Sequence, residues 1–392
     1  MNSKININDK IRGSLMAGAM GDALGYEVEF MSRSAILSKY GETGITKLAL
    51  DDKGKAQISD DTQMTLFTAA GMLMGMTRGS MRGVGGEPEN YVSYAYKDWY
   101  YTQQRTAPES YLNHTWLYHI PELYARRAPG ITCLRACEDF IAGREVRNDS
   151  KGCGGIMRVA PMPLLLAGCA SREFCPYNIE KLAVACAKVA SCTHKHPLGF
   201  LPAALLGVFL YKVALLNVEE VKEQIEQLVA DSLDVIEGIY NEDYLKHKKY
   251  LRELTQKALE LALSSVSDEE ALAALGEGWV AEETWAVALY CAVRYIDSPE
   301  KALIVSVNHD GDSDSTGSVT GNIIGAIYGY QYIKERNMLC LDGCELEQTL
   351  ELANIILTIA DDLSNGCRIQ EGNTPEEQRW IERYCEHRPA GI

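Results

Sequence analysis

Apolar residues recur at three- and four-residue spacing along most of the chain, the period of an α-helix with one buried face. The pattern predicts helices over Ile11 to Leu24, Asp61 to Met76, Ile179 to Val189, Leu198 to Leu216 and Val218 to Ile239. It continues over Leu245 to Ser264, Glu282 to Tyr295, Thr320 to Glu335 and Leu346 to Leu363. Strand-like alternation is confined to Ile45 to Leu50, which reads as a short strand or an extended loop. The fold class that follows is all-α, with ten or more helices. In the first helix Gly13, Ala17, Gly18 and Gly21 gather on one side, and such a face lets another helix approach closely.

Two stretches break the pattern. Gly79 to Pro88 holds four glycines, and Asn148 to Pro163 holds Gly152, Gly154, Gly155, Pro161 and Pro163. Helical periodicity resumes after each, so neither reads as a linker. The expectation is a single domain over residues 1–392, with a core at about 8–365. An insertion at 79–128 and a polar C-terminal tail would be additions to that core, with Trp380 and Tyr384 docking part of the tail.

Composition adds limits. The 392 residues are 46% hydrophobic and 23% charged, enough for a large core. Net charge is −16, a field that works against non-specific nucleic-acid binding. An anionic substrate would therefore need local help from a cation, a helix N-terminus or backbone amides. The twelve cysteines lack the spacing of a zinc site, and several lie in apolar helical runs, as reduced thiols of a cytoplasmic protein do. The polar N-terminus has no signal-peptide core, and no uncharged apolar run reaches spanning length, so no membrane partner is expected.

Candidate chemistry centres on two acidic clusters about 250 residues apart, Ser59-Asp60-Asp61-Thr62 and His309-Asp310-Gly311-Asp312-Ser313-Asp314-Ser315-Thr316. Carboxylates this close repel one another unless a cation neutralises them. Hard oxygen donors favour Mg²⁺, Mn²⁺ or Ca²⁺ over zinc. If the fold joins the clusters they make a two-metal site of the kind that activates water. Alternatively, each is a solvated loop or a helix cap, since Asp and Ser are favoured N-cap residues.

Three further segments are candidates. Glu27 and Glu29 follow the first helix in Gly21-Asp22-Ala23-Leu24-Gly25-Tyr26-Glu27-Val28-Glu29-Phe30, where a carboxylate can reach a metal or simply face solvent. Asn148-Asp149-Ser150-Lys151-Gly152-Cys153-Gly154-Gly155-Ile156-Met157-Arg158 is a Gly-rich loop, either a turn or a place where amides approach phosphate. It has no Gly-Lys-Ser/Thr ending and is not a P-loop. Arg158 reads as half of a buried structural pair, and Cys153 as a nucleophile without an assignable His. His194, in Thr193-His194-Lys195-His196-Pro197, is a helix cap or a ligand neighbour.

Taken in order, residues 21 to 29, 59 to 62, 154 to 158, 193 to 194 and 311 to 315 resemble the ADP-ribosylglycohydrolase family. The resemblance spans most of the chain. It implies an all-α fold around two Mg²⁺ or Mn²⁺ ions, held by Ser59, Asp60, Asp61, Asp312, Asp314 and Ser315. It implies that Glu29 positions or activates water, with Asp61 as the alternative catalytic group. Asn148, Asp149, Ser150, Lys151, Gly152, Cys153, Gly154 and His194 would line the ADP-ribose site. The implied reaction is hydrolysis of the ribose–acceptor bond, with ADP-ribosylarginine on protein as the leading substrate. O-acetyl-ADP-ribose, ADP-ribosylserine and ADP-ribosylated nucleic acid are alternatives, as is an immunity protein that also blocks an ADP-ribosylating toxin, in which case a cognate transferase is a partner. Three features depart from the family pattern. Cys153 stands where Asn is frequent, Asp310 stands where Gly is usual and adds a carboxylate near the metals, and Asp98 to His119 has no clear counterpart.

Overall fold

Each acidic cluster opens a helix, so the cap and the charged cluster are one feature. In the computed structural model, which describes residues 5–83, 85–108, 113–171, 178–240, 242–367, 369 and 374–385, Ser59 caps a helix over Asp60–Arg82. Its side chain accepts the Asp61 amide at 3.2 Å. Asp312 caps a helix over Ser313–Tyr328, its carboxylate accepting the Ser315 amide at 3.2 Å. The sequence expectation started this helix at Thr320 and ran it to Glu335. Instead it starts at the cluster and stops at Gly329, whose φ of +82° breaks it before Tyr330–Glu335. The expected Leu346 to Leu363 helix is likewise split, by Leu352 at φ +58°.

The fold is all-α, with no strand among the described residues. Ile45 to Leu50 is extended loop. Helices that the periodicity left out include Arg33–Tyr40, Pro88–Gln104, Ile131–Ile141, Pro161–Ala170 and Pro299–Val307. Pro at the first turn is tolerated because that amide has no intrahelical partner, so proline starts the last two as well as Pro88–Gln104.

The helix that sets the site is the first, Ile7–Tyr26, laid against Ser313–Tyr328. Four positions of each meet in antiparallel order: Gly13 with Gly325, Ala17 with Gly321, Gly21 with Gly317 and Gly25 with Ser313. A spacing of four residues keeps them on one face of each helix. A Cβ on Gly321 would lie 2.0 Å from the Ala17 carbonyl oxygen, so the two backbones touch. This register brings the C-terminal end of one helix, with Glu29 just beyond it, to the acidic N-terminal end of the other.

The expected insertion is packed against the Asp60 helix. Trp99 and Gln103 both donate to Gln63 Oε1, and Gln63 donates to the Ala125 carbonyl at 2.9 Å. Asp98 is fully buried and accepts the His114 and Thr115 amides, which ties down the 113–115 stretch of this segment. At the other end of the chain, Tyr384 donates to Asp362 at 2.6 Å and Trp380 to Thr77 at 2.8 Å, docking the Pro375–Tyr384 helix. One helix, Pro197–Ala214, is long and apolar enough to cross a membrane by length and composition, and 83% of it is buried inside the protein.

Candidate metal centre

The two clusters meet. Asp60, Asp61, Asp312, Asp314 and Ser315 line one cleft of about 450 Å³, together with Glu29, Gly152, Cys153, Gly154 and His194. Carboxylate oxygens of Glu29, Asp312 and Asp314 lie within 4.8 Å of one another, and all three residues are buried. The choice between the two glutamates is resolved by geometry. Glu27 is turned outward, where it pairs with Lys39 at 2.7 Å and accepts from Tyr40 at 2.8 Å. Asp310 does not add a carboxylate to the cluster: it is exposed and accepts the Arg33 amide at 2.8 Å, at the start of the Arg33–Tyr40 helix.

Burial and mutual repulsion dominate the electrostatics. Burial, then the Asp314, Asp60 and Asp22 charges, push Glu29 up to about 10. Burial followed by the Asp314 charge raises Asp60 and Asp61 as well. Asp314 rises through burial and Asp312. Arg127 is committed to Glu351 and the Ile58 carbonyl rather than to the cluster. Glu29 Oε2 and Asp61 Oδ2 are buried and receive no hydrogen bond from the protein. Unpaired buried carboxylate oxygens are costly. An all-oxygen set with unused, repelling donors fits hard divalent cations.

The site is supported by a residue that the sequence reading passed over. Asp22, fully buried at the end of the first helix, accepts the Ser59 and Thr62 amides at 3.0 Å and the Thr62 hydroxyl. It thereby fixes the start of the Asp60 helix. Burial raises it to about 6, against the opposing pull of these donors. Ser59 is fully buried beneath Asp60 and Asp61 as their cap. Asp60 also accepts the Gly130 amide at 3.2 Å, so the end of the 79–128 segment leads directly into the cleft wall.

The opposite wall is the Gly loop. Of the Asn148 to Gly154 segment, Gly152, Cys153 and Gly154 line the cleft. Asn148 ties the loop to the Thr193 carbonyl at 2.7 Å and to the Lys195 amide at 3.1 Å. Asp149 is exposed, Ser150 shares a 3.2 Å hydrogen bond with Thr132, and Lys151 pairs with buried Glu282. Close packing accounts for glycine at 154: a Cβ there would lie 2.8 Å from both Cys133 Sγ and His194 Cε1.

His194 is buried, and its Nδ1 lies 2.8 Å from the Thr193 hydroxyl. Burial and the Arg158 charge lower it to about 3, so its ring is neutral at ordinary pH. Arg158 is buried without an ion pair among the described residues. It donates to the Gly154 carbonyl and, at 2.6 Å, to Thr193, and lies 4.7 Å from the Tyr96 ring centroid as a cation–π contact. Cys153 interacts with Asp312 and Ser315, and burial and Asp312 raise its thiol, the reverse of an activated nucleophile.

Phe30 and Trp279 edge the cleft, stacked at 6.0 Å and 21° and 75% and 39% exposed. No motif pointed to them. Trp279 lies on the 276–280 turn, whose Glu277 carbonyl accepts the Asp312 amide at 2.8 Å and whose Trp279 carbonyl accepts the Cys153 amide at 3.2 Å.

Residues 3–371 match the model of the family described as ADP-ribosylglycohydrolase. The chain belongs to the ADP-ribosylglycohydrolase family. Among curated proteins, this family member is similar to ADP-ribosylhydrolase ARH3 of Mus musculus, 29% identical over 53% of this chain and 58% of that relative. The bovine (Bos taurus) ARH3 match is 27% identical over 53% of this chain and covers 59% of the relative, so the chain spans under two thirds of these proteins. ADP-ribosyl-[dinitrogen reductase] glycohydrolase of Rhodospirillum rubrum is 24% identical over 83% of this chain and 87% of that relative. A solved structure titled ADP-ribosylglycohydrolase-related protein complex shares the fold, with a TM-score of 0.55 at 20% identity, over 91% of this chain and 98% of that one.

Proposed function

We propose that this protein is a metal-dependent ADP-ribosyl hydrolase that cleaves the bond between the ribose anomeric carbon and an acceptor, with arginine on protein as the acceptor. The observation that carries the reading is the convergence of both acidic clusters with Glu29 in one cleft. Asp60, Asp61, Asp312 and Asp314, with the Ser59 and Ser315 hydroxyls, would hold two Mg²⁺ or Mn²⁺ ions. When bound, the ions supply positive charge that orients ribose hydroxyls and makes water easier to deprotonate.

The chain's own groups divide the remaining work. Glu29, whose carboxyl is held protonated by burial and the neighbouring charges until bound cations offset them, would as the carboxylate take a proton through its free buried Oε2 from the attacking water as oxygen bonds to the anomeric carbon. The carbon–nitrogen bond breaks, the guanidine gains a proton, and ADP-ribose and arginine are the products. Asp61, with its own free oxygen, is the alternative base. The wall of Gly152, Gly154 and neutral His194 borders the rest of the ADP-ribose. The exposed Phe30–Trp279 face suits a planar cationic acceptor, because a guanidinium is attracted to aromatic faces.

A panel of defined Arg-, Ser- and acetyl-linked ADP-ribose substrates, each with and without Mg²⁺, tests this reading. Turnover of the arginine linkage that disappears with chelator and returns with Mg²⁺ supports it. Turnover of only serine or acetyl linkages removes the arginine assignment, and release unaffected by chelator removes the metal.

A further inference from the structure

One helix start holds two walls of the cleft together. The helix Ala281–Arg294 begins beside the Gly loop, where the Ala281 amide donates to the Lys151 carbonyl at 2.9 Å and buried Glu282 pairs with the Lys151 side chain. Its next two residues grip the 276–280 turn. Glu283 Oε2 accepts the Glu277 amide at 3.1 Å and the Gly278 amide at 3.2 Å. The Thr284 hydroxyl donates to the Gly278 carbonyl at 2.7 Å. A Cβ on Gly276, at φ +115°, would lie 2.4 Å from Glu283 Cδ, so the carboxyl packs directly on the turn. The turn carries three parts of the site: the Glu277 carbonyl takes the Asp312 amide, the Trp279 carbonyl takes the Cys153 amide, and the Trp279 ring edges the cleft.

We propose that Glu283 is a positioning residue for the hydrolysis: by holding the Glu277 and Gly278 amides it fixes the turn that spaces the Gly loop from Asp312 and sets Trp279 at the cleft edge. Glu283 does not itself line the cleft, so it acts only through the turn. Both amides share one oxygen of its carboxylate, so the turn needs an acceptor there rather than a charge. Without that oxygen the Glu277 amide can go over to water, because Glu277 is exposed, and the turn is freed rather than destroyed. The inference rests on the hydrolase reading for its rate measurement and on the contacts of the turn alone for its fluorescence measurement.

The full-length natural chain is compared with Glu283→Ala, Glu283→Gln and Thr284→Val. E283A removes the acceptor, E283Q keeps an accepting oxygen and loses the charge, and T284V removes the second hold on the turn at nearly constant volume. With saturating Mg²⁺, kcat/KM for the linkage that the natural chain turns over should fall about 10–100-fold in E283A, as for loss of a supporting contact behind a metal ligand. It should fall in T284V as well and stay near the natural value in E283Q. Acrylamide quenching of Trp279, taken as the part of the emission that Trp279→Phe removes, should rise in E283A and T284V but not in E283Q. T284V decides by the same two readouts if E283A does not fold. A lower melting temperature with natural kcat/KM and natural Trp279 quenching would mean that Glu283 only stabilises the fold. Equal losses in E283Q and E283A would mean that the charge acts and not the accepting oxygen. Either result overturns the inference and leaves the hydrolase reading standing. If the natural chain releases ADP-ribose from no linkage while the quenching follows the expected pattern, the hydrolase reading fails and the hold of Glu283 on the turn stands.

Discussion

Gly21 and Gly317 lie backbone to backbone: a Cβ on Gly21 would stand 2.0 Å from the Gly317 carbonyl oxygen, and one on Gly317 would stand 2.4 Å from the Gly21 carbonyl oxygen. This contact sets the distance between the helix that ends near Glu29 and the helix that starts at Asp312. Gly317→Ala must push the helices apart or strain both. Overpacking of this kind costs about 1–3 kcal/mol, and here backbone rather than a flexible side chain has to yield. The expected result is a lower melting temperature together with weaker Mn²⁺ binding. Unchanged Mn²⁺ affinity in a folded G317A protein would show that helix spacing does not set the centre.

Asp22 acts at the other cluster. Its carboxylate takes three donors from Ser59 and Thr62, and an Asn side chain would turn a donor toward at least one of them. Leaving a buried donor unpaired costs about 1–3 kcal/mol. Asp22→Asn should therefore lose stability and also cation affinity, since Asp60 and Asp61 ride on the helix start that it fixes. Chemical denaturation with and without Mg²⁺ separates the two effects. If Mg²⁺ stabilises D22N as much as it does the natural protein, Asp22 is only a structural cap.

Glu29 is expected to be needed for turnover more than for binding. Glu29→Gln keeps the shape and removes the ionisable group, which lowers kcat by about 10²–10⁴-fold if general base assistance is lost. ADP-ribose affinity should change little. Metal occupancy is measured in the same preparation, because Glu29 shares the cluster with Asp312 and Asp314. Full occupancy with undiminished kcat would move the role to Asp61.

These residues also show where the sequence was legible. Both acidic clusters and Glu29 could be read because each is a short run whose chemistry is local. The small-residue face of the first helix was visible too, but its partner was not, because Gly317, Gly321 and Gly325 become a face only once the helix is known to begin at Ser313. Asp22 drew no reading of its own within the first helix, since its donors come from a segment some forty residues away. Phe30 and Trp279 carry no local signature at all: their pairing depends on two loops meeting at the cleft mouth.

His194 gives the fold a pH signature. Its folded value of about 3 lies below the ordinary imidazole value of 6.5, so between those limits the unfolded chain holds a proton that the native protein does not. Its contribution is fully present above pH 6.5 and is lost as pH falls toward 3, at up to about 1.4 kcal/mol per pH unit. Asp98, raised to about 7 chiefly by burial, acts with the opposite sign in part of the same range, so the comparison must be with a variant. In His194→Gln the acid slope of stability should be shallower than in the natural chain. Parallel urea midpoints for the two proteins between pH 7 and pH 5 would mean that the imidazole is protonated in the native state.

The aromatic edge separates acceptor recognition from ADP-ribose recognition. Trp279 holds Cys153 through its carbonyl, so Trp279→Ala keeps that backbone bond and removes only the ring. If the ring attracts the acceptor guanidinium, its loss costs about 0.5–1 kcal/mol, or about two- to fivefold in kcat/KM for ADP-ribosylarginine. Inhibition by free ADP-ribose, which has no acceptor, should not change. Phe30→Ala removes the other half of the stack and should act in the same direction. If ADP-ribose inhibition weakens in parallel with kcat/KM, the rings contact the nucleotide side, and the physical argument for an arginine acceptor loses its support.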